Sequence, residues 1–365
     1  MSEPCRRVDL GLVPGDGIGV EVMDAARAVL DALADEDVSF TTTEYSWSCE
    51  RYQRTGEMMP ADGLDRLREH DAVLLGAVGW PGVPDHVSLW GLLIPIRRAF
   101  DLYVNLRPIR RFAGVRTPVR DDLAGGIDLV VVRENSEGEY SRIGGVQFAG
   151  TAREMAVQEA VFTRHGVARV ARYAAELAAS RRGAVVSATK SNGIVHTMPF
   201  WDRVVAETLA AYPHVALRSE HIDALAAKLV LDPAGFDVVL ASNLFGDILS
   251  DLAAAVCGSI GIAPSANVGP DGGGPGLFEP VHGSAPDIAG TGMANPIGMV
   301  WSVALMLDDL ELGRHARRVM AAVEDTLSDP ATRTRDVGGT ASTAEATAAV
   351  VDHLAGSRTS SRGER

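Results

Sequence analysis

The sequence predicts an α/β protein built as two subdomains. Short β-rich runs alternate with helical patterns along most of the chain, the order that gives sheets covered by helices. Its 365 residues exceed the size at which a single core stops growing. A 46% hydrophobic composition with 38 glycines suits a well-packed sheet protein with many turns.

Strands are expected at VDLGLV (8–13), VSFTTTEY (38–45), AVLLGAV (72–78), IDLVVV (127–132), AVVSAT (184–189) and FDVVLAS (236–242). Each is a short run dominated by β-branched or aliphatic residues. Helical periodicity covers 18–34, 61–69, 88–99, 160–179, 196–211, 244–256, 296–310 and 315–327. There is no internal repeat, and no Pro- or Ser-rich linker divides the middle. The chain is therefore expected to cross between its subdomains more than once, with an active site in the cleft. The stretch 144–162 is read as an extended hairpin or arm, and SRTSSRGER (357–365) as a disordered tail.

The turn between the first strand and the first helix, GDGIG (15–19), raises the question of a phosphate cradle. A dinucleotide fingerprint needs G-x-G-x-x-G or Ala in the third place. Gly15 and Gly17 fit, but Val20 occupies the third position and Asp16 would repel a phosphate. The competing reading is a tight strand-to-helix turn, and the spacing favours it.

Charge narrows the partners. The chain has 34 Lys and Arg against 48 Asp and Glu, a formal charge of −14, so neither nucleic acid nor an anionic membrane is expected to bind. Small anions need a local arginine cluster against this field. Cys5, Cys49 and Cys257 are odd in number and fit no zinc or redox spacing, which suits a reducing compartment. The apolar run near the N-terminus is too short for a signal peptide, and no segment reaches the ~18 apolar residues of a membrane span. A soluble cytoplasmic protein is expected.

Three constellations carry chemistry. In SNLFGDILSDLAAAV (242–256), Asp247 and Asp251 are four apart and share a helix face. Two carboxylates without a basic partner in their own turn suit a hard divalent cation; a solvated acidic face is the equal alternative. Arg97 and Arg107 lie in IPIRRAFDLYVNLRPIRR, and Arg133 follows the run LVVV, where an arginine can fork onto a carboxylate beyond a strand end. Arg98, Arg110 and Arg111 read as surface charges. Lys190, leaving AVVSAT, is a candidate proton acceptor, and Tyr140 in RENSEGEY a candidate acid. No histidine metal triad and no G-x-S-x-G elbow occurs.

In order along residues 8 to 346, PGDGIGVEV, GAVGWP, RRAFDLYVNLRP, VVRENSEGEY, SATKSN, SNLFGDILSDL, FEPVHGSAPDIAG and ANPIG resemble the β-decarboxylating dehydrogenases of the isocitrate/isopropylmalate dehydrogenase superfamily. VSLWG, VRENSEGEYS and SIGIAPSAN look most like its tartrate/D-malate branch. The resemblance implies an isopropylmalate dehydrogenase-like α/β fold of two subdomains with a central mixed sheet, not a Rossmann fold. Residues 1–100 plus 256–356 would form the cofactor-binding subdomain, and 101–255 the dimerisation and metal/substrate subdomain. The reaction implied is NAD-dependent oxidation and β-decarboxylation of a 2-hydroxy dicarboxylate.

Roles follow by position. Arg97, Arg107 and Arg133 would clamp the substrate carboxylates, with Trp90, Leu93 and Ile94 facing the substituent at C3. Asp247 and Asp251, with Asp223 of the partner subunit, would hold Mg²⁺ or Mn²⁺; K⁺ is a candidate further ion. Lys190 of the partner subunit would help deprotonate the 2-hydroxyl, and Tyr140 would protonate C3, so a homodimer with shared active sites is expected. His282, Gly283, Ser284, Ala285, Asp287 and Ile288 would wrap the adenosine, with Asn295 and Asp336 nearby. The Asp287 carboxylate would favour NAD over NADP. No Ser/Asn pair precedes Arg97 to receive a third carboxylate, which disfavours isocitrate, and Pro95 departs from the branch pattern, where lysine is common. The rival readings are a 3-isopropylmalate or other 3-substituted malate dehydrogenase, a non-catalytic binding paralogue, and a metal-dependent phosphotransferase.

Overall fold

A computed structural model describes residues 5–35, 37–120 and 126–361; the side chains from 357 onward are not described. Of the tail expected at 357–365, residues 362–365 lie outside the described residues, and the last helix, Thr343–Ser361, is described to its end in backbone alone. The strands in chain order are β1 (Arg6–Gly15), β2 (Val38–Glu44), β3 (Ala72–Ala77), β4 (Val104–Arg110), β5 (Asp128–Glu134), β6 (Gly144–Gln147), β7 (Met155–Gln158), β8 (Ala184–Thr189), β9 (Ala216–His221), β10 (Val238–Ala241), β11 (Pro264–Val268) and β12 (Gly276–Pro280). All six expected strands form, and helices cover the expected segments, so the α/β class holds. The chain divides into two compact units, one of residues 1–102, 110–118 and 254–365, the other of 103–109 and 119–253.

In the first unit the strand order is β2-β1-β3-β12-β11. β1 pairs in parallel with β2 and β3, β3 with β12, and β11 runs antiparallel to β12, so the sheet is mixed. β3 is buried at every position, and Val8, Leu10, Leu12 and Val13 of β1 are buried as well, as expected for a sheet covered on both faces. Helix Ile18–Leu33 turns Val22, Met23, Ala26, Val29, Leu30 and Leu33 inward at helical spacing. Helix Ile297–Asp309 is buried on nearly all sides and reads as core rather than amphipathic surface. β11 and β12 escape the sequence pattern because they are short and their proline ends, Pro264 and Pro280, face each other in register.

Two further helices of this unit lacked an apolar stripe. Cys49–Thr55 is largely polar, but Ser48 Oγ accepts Arg51 N–H at its start and Gly56, at φ 81°, closes it. Thr343–Ser361 opens with a reciprocal cap: Ser342 N–H donates to the Glu345 carboxylate and Glu345 N–H to Ser342 Oγ. Its core contacts are Ala346, Val350 and Leu354, one per turn.

In the second unit the order is β4-β5-β10-β8-β9, with β5, β10, β8 and β9 pairing in parallel. The helix expected from residue 160 starts at Arg164, where Thr163 Oγ1 accepts Gly166 N–H, and it buries Val167, Val170, Ala171, Ala174, Ala175 and Ala178. β4 was hidden by Arg107, Pro108 and Arg110 within VNLRPIR, and β9 by its polar, half-exposed composition. The arm expected at 144–162 is the antiparallel pair β6–β7. Its apolar side chains Val146, Met155 and Val157 are exposed. No helix among the described residues is long and apolar enough to cross a membrane.

Thr163 also donates from Oγ1 to Glu137. Thr163→Ala should therefore cost about 1 kcal/mol, the usual worth of an N-cap, with an unchanged m value in urea unfolding.

Candidate active site

The expected metal carboxylates lie on helix Asn243–Val256 of the second unit, where they meet two expected substrate arginines. Arg133, at the C-terminal end of β5, is buried and donates to Asp247 and, through Nε and Nη2, to Asn243 Oδ1 at 3.1 and 2.8 Å. Arg107, on β4, is buried too: Nε donates to Asn105 Oδ1 at 2.8 Å, Nη1 to Ser250 Oγ at 2.7 Å and Asp251 at 3.2 Å, and Nη2 lies 3.5 Å from Asp247. The Tyr140 hydroxyl donates to the other Asp247 oxygen at 2.8 Å. Gly246 permits the close approach, because a Cβ there would lie 2.6 Å from Arg133 Cβ. Arg107, Arg133, Tyr140, Asp247 and Asp251 thus form one network.

Charge sets the proton positions. Burial, together with the Asp247 charge, raises the Tyr140 pKa and keeps its phenol protonated. Desolvation pushes Asp251 above the ordinary carboxylate range; Arg107 opposes this and Asp247 adds to it. Lys190, just past β8, instead pairs with Asp223 at 2.7 Å, and this hydrogen bond lowers the Asp223 pKa. No three His, Cys, Asp or Glu side chains converge as a metal-holding group among the described residues. Asp223 does not complete a triad with Asp247 and Asp251 within one chain.

In the first unit Arg97 is buried and donates to Glu279 at 3.0 Å, and Glu279 also accepts Asn267 Nδ2 at 2.9 Å. The Arg97 Nε is buried without a hydrogen-bond partner. A π-helical turn, Leu89–Leu93, precedes the helix Ile94–Ala99. Its position suits Pro95, which lacks an N–H to donate back and would crowd the preceding turn. Trp90 and Leu93 remain partly exposed, Trp90 under the Arg98 guanidinium, whereas Ile94 is buried.

The GDGIG turn is packed on main chain. Gly15 and Gly17 have φ of 73° and 58°, and a Cβ on Gly17 would lie 2.1 Å from the Ser284 carbonyl oxygen. Three of its amides are already used: Asp16 N–H donates to Ala77 O, Ile18 N–H to Ser284 O and Gly19 N–H to Asp16 O. The buried Asp16 carboxylate accepts from Cys49 N–H and Gly79 N–H, tying together three loops. The turn spends these amides on neighbouring carbonyls and braces HGSAPD. In that segment Ala285 takes a φ of 39°, a backbone conformation costly for a non-glycine residue. His282 Nδ1 contacts Gly283 O, while its buried Nε2 has no partner, and burial lowers its pKa. Gly283 and Asp287 are exposed, Ser284 is buried and Ile288 half-buried. Asn295 donates to Asp336 at 2.9 Å, and Asp336 also accepts from Ser259 and Thr334.

A model of the isocitrate/isopropylmalate dehydrogenase family matches residues 9–353. The chain belongs to the isocitrate/isopropylmalate dehydrogenase family. Membership makes it an oxidoreductase. The chain is 50% identical to a probable tartrate dehydrogenase/decarboxylase of Bacillus subtilis over 96% of its length and 98% of that protein's. It is also 50% identical to a D-malate dehydrogenase [decarboxylating] of Escherichia coli, over 94% and 98%. Among solved structures, an isocitrate dehydrogenase from Methylococcus capsulatus superposes with a TM-score of 0.85 at 33% identity, covering 95% of this chain and 99% of that one. A β-decarboxylating dehydrogenase from Thermococcus kodakarensis gives 0.78 at 38% identity, over 98% and 99%.

Sequence reasoning missed Asn243, Asn105, Ser250 and Glu279. Asn243 was accessible, since 243, 247 and 251 repeat at i, i+4, i+8 on one family dehydrogenase helix. Gly17→Ala should lower the unfolding free energy by about 1–3 kcal/mol, measured by denaturant titration. The exposed Val20→Ala on the following helix should change it by less than about 0.5 kcal/mol.

Proposed function

We propose that the chain catalyses NAD-dependent oxidation and β-decarboxylation of D-malate or tartrate, with Mg²⁺ or Mn²⁺. One observation carries the reading: a protonated tyrosine hydroxyl on a carboxylate that two buried arginines also share. Relatives named for tartrate and D-malate at 50% identity support this substrate class.

The donor set fits a hard divalent cation. Asp247 and Asp251 offer oxygen ligands one turn apart, and the desolvated Asp251 is held above its ordinary range in a way that a cation would relieve. When bound, such an ion would polarise the substrate's hydroxyl and carboxylate oxygens and offset the negative charge that gathers on the C2 oxygen as CO₂ departs. Arg107 and Arg133 orient the dicarboxylate by charge-assisted forks, and Arg97 serves a substrate carboxylate in the same way. Lys190, which pairs with Asp223, helps deprotonate the 2-hydroxyl, accepting its proton as the neutral amine after losing its own to solvent. Tyr140 donates a proton to C3 of the product enol, giving a 2-keto acid. Trp90 and Leu93 receive a small C3 substituent, hydrogen in D-malate or hydroxyl in tartrate.

HGSAPD fits a dinucleotide: His282 Nε2 is an unsatisfied buried polar atom, and the exposed Asp287 carboxylate suits ribose hydroxyls while repelling a 2′-phosphate. Asp336 acts by fixing Asn295. The family reading also supports a homodimer in which Asp223 and Lys190 of the partner subunit complete each site. Exposed Val146, Met155 and Val157 on β6–β7 and Leu244 and Ile248 on the metal helix support a second copy there. The cytoplasm is the proposed location, supported by three free cysteines.

Reduction of NAD⁺ should occur with D-malate or a tartrate plus Mn²⁺ and K⁺, and far more slowly with isocitrate. A much higher kcat/KM for 3-isopropylmalate would transfer the assignment to that substrate, and ligand binding without NADH would point to a binding paralogue. Lys190→Ala and Asp247→Asn should each lower kcat by roughly 10²- to 10⁴-fold; undiminished turnover in Lys190→Ala would sink the assigned mechanism. Mixing unfolded Lys190→Ala and Tyr140→Phe chains and refolding them should restore about a quarter of wild-type activity, since half the dimers then carry one intact site. No recovery would count against shared sites.

A further inference from the structure

We propose that Glu139 is a positioning residue that holds Tyr140 in register with Asp247; this rests on the reading of Tyr140 as the acid. Both Glu139 oxygens are engaged at the start of helix Asn243–Val256. One accepts the Ser242 hydroxyl at 2.7 Å, and the other accepts Leu244 N–H at 3.1 Å, a donor that the helix itself leaves without a partner. A carboxylate at this end also faces the positive pole of the helix dipole. Asn243 fastens the same junction from the other side, donating to Glu137 O at 3.1 Å while its Oδ1 holds Arg133.

Tyr140 follows Glu139 directly, and its hydroxyl meets Asp247 one helical turn beyond Asn243. The loop from Arg133 to Tyr140 is therefore anchored to the helix at four points: Arg133 and Tyr140, expected to meet substrate, the Glu137 carbonyl, and Glu139, whose carboxylate is spent entirely on the junction. Gly138, at φ 84°, makes the bend that lets residue 139 reach back to the helix while residue 140 reaches along it. Of the two remaining carboxylates, Glu134 is buried and accepts from Ser136 and Glu137 N–H, and Glu137 accepts from Thr163, so they stiffen the loop and its next helix start and leave the registration to Glu139. With Glu139 removed, the loop stays tied to the helix through Arg133 and through Asn243 on Glu137 O, and Gly138 stays paired with Val161, but the side-chain tie to the helix start immediately before Tyr140 is lost.

The test is a double-mutant cycle in the full chain with NAD⁺, Mn²⁺ and the best substrate, using Glu139→Ala, Tyr140→Phe and the combination. Glu139→Ala should lower kcat ~10- to 100-fold, as misplacement of a reacting group does. The KM values should stay within about threefold. Mn²⁺ affinity, read by electron paramagnetic resonance without turnover, should be unchanged. In the Tyr140→Phe background, Glu139→Ala should add almost nothing. Glu139→Gln, which keeps an oxygen for one of the two donors, should be intermediate, and it carries the same cycle if the alanine variant does not fold. Losses that multiply in the double variant, or that follow weakened Mn²⁺ binding, would overturn the positioning role alone. Wild-type kcat in Tyr140→Phe would overturn the acid assignment and this proposal with it.

Discussion

The Asp247 carboxylate is the constraint on which the second unit's functional region depends. Two buried guanidiniums and a phenol converge on it from β4, β5 and the loop that follows β5. Burying two arginines without a carboxylate among them would leave uncompensated charge in a poorly solvated place, which proteins avoid. Asp247 therefore neutralises them, and in doing so brings three separate segments onto one helix face. The same charges support the proposed anionic substrate and divalent cation, because each added ion can replace a partner already there.

Around GDGIG the first unit follows a different logic, in which main-chain hydrogen bonds hold the pieces. GDGIG, the loop after β3 and HGSAPD meet through backbone hydrogen bonds, and Asp16 lies among them as an acceptor for two amides. The three amides that this glycine-rich turn spends on neighbouring carbonyls are not on offer to a phosphate. The carboxylate that argues against a phosphate cradle turns out to be the element that holds the turn together.

Much of the fold was legible in the sequence, and what escaped did so for identifiable reasons. Continuous apolar runs such as AVLLGA and DLVVV mark strands buried on both faces, and the helices with a clear stripe declare themselves. β4 was hidden because its alternate residues include Arg107, a charge whose burial depends on Ser250 and Asp251 more than a hundred residues away. The last helix was hidden because alanine and threonine blur its stripe, although its Ser342–Glu345 cap was readable.

By itself the sequence determined the family and most of the strands and helices, because these rest on local spacing and extended motifs. It also placed Asp247 and Asp251 on one helix face, a matter of 3.6-residue periodicity. Tertiary structure decided who pairs with whom: that Asp247 belongs to Arg107, Arg133 and Tyr140, that Lys190 belongs to Asp223, and that Asp16 belongs to Cys49 and Gly79. Hydrogen-bond and charge partners far apart in the chain are chosen by how strands and helices pack, and short-range pattern carries no record of that choice.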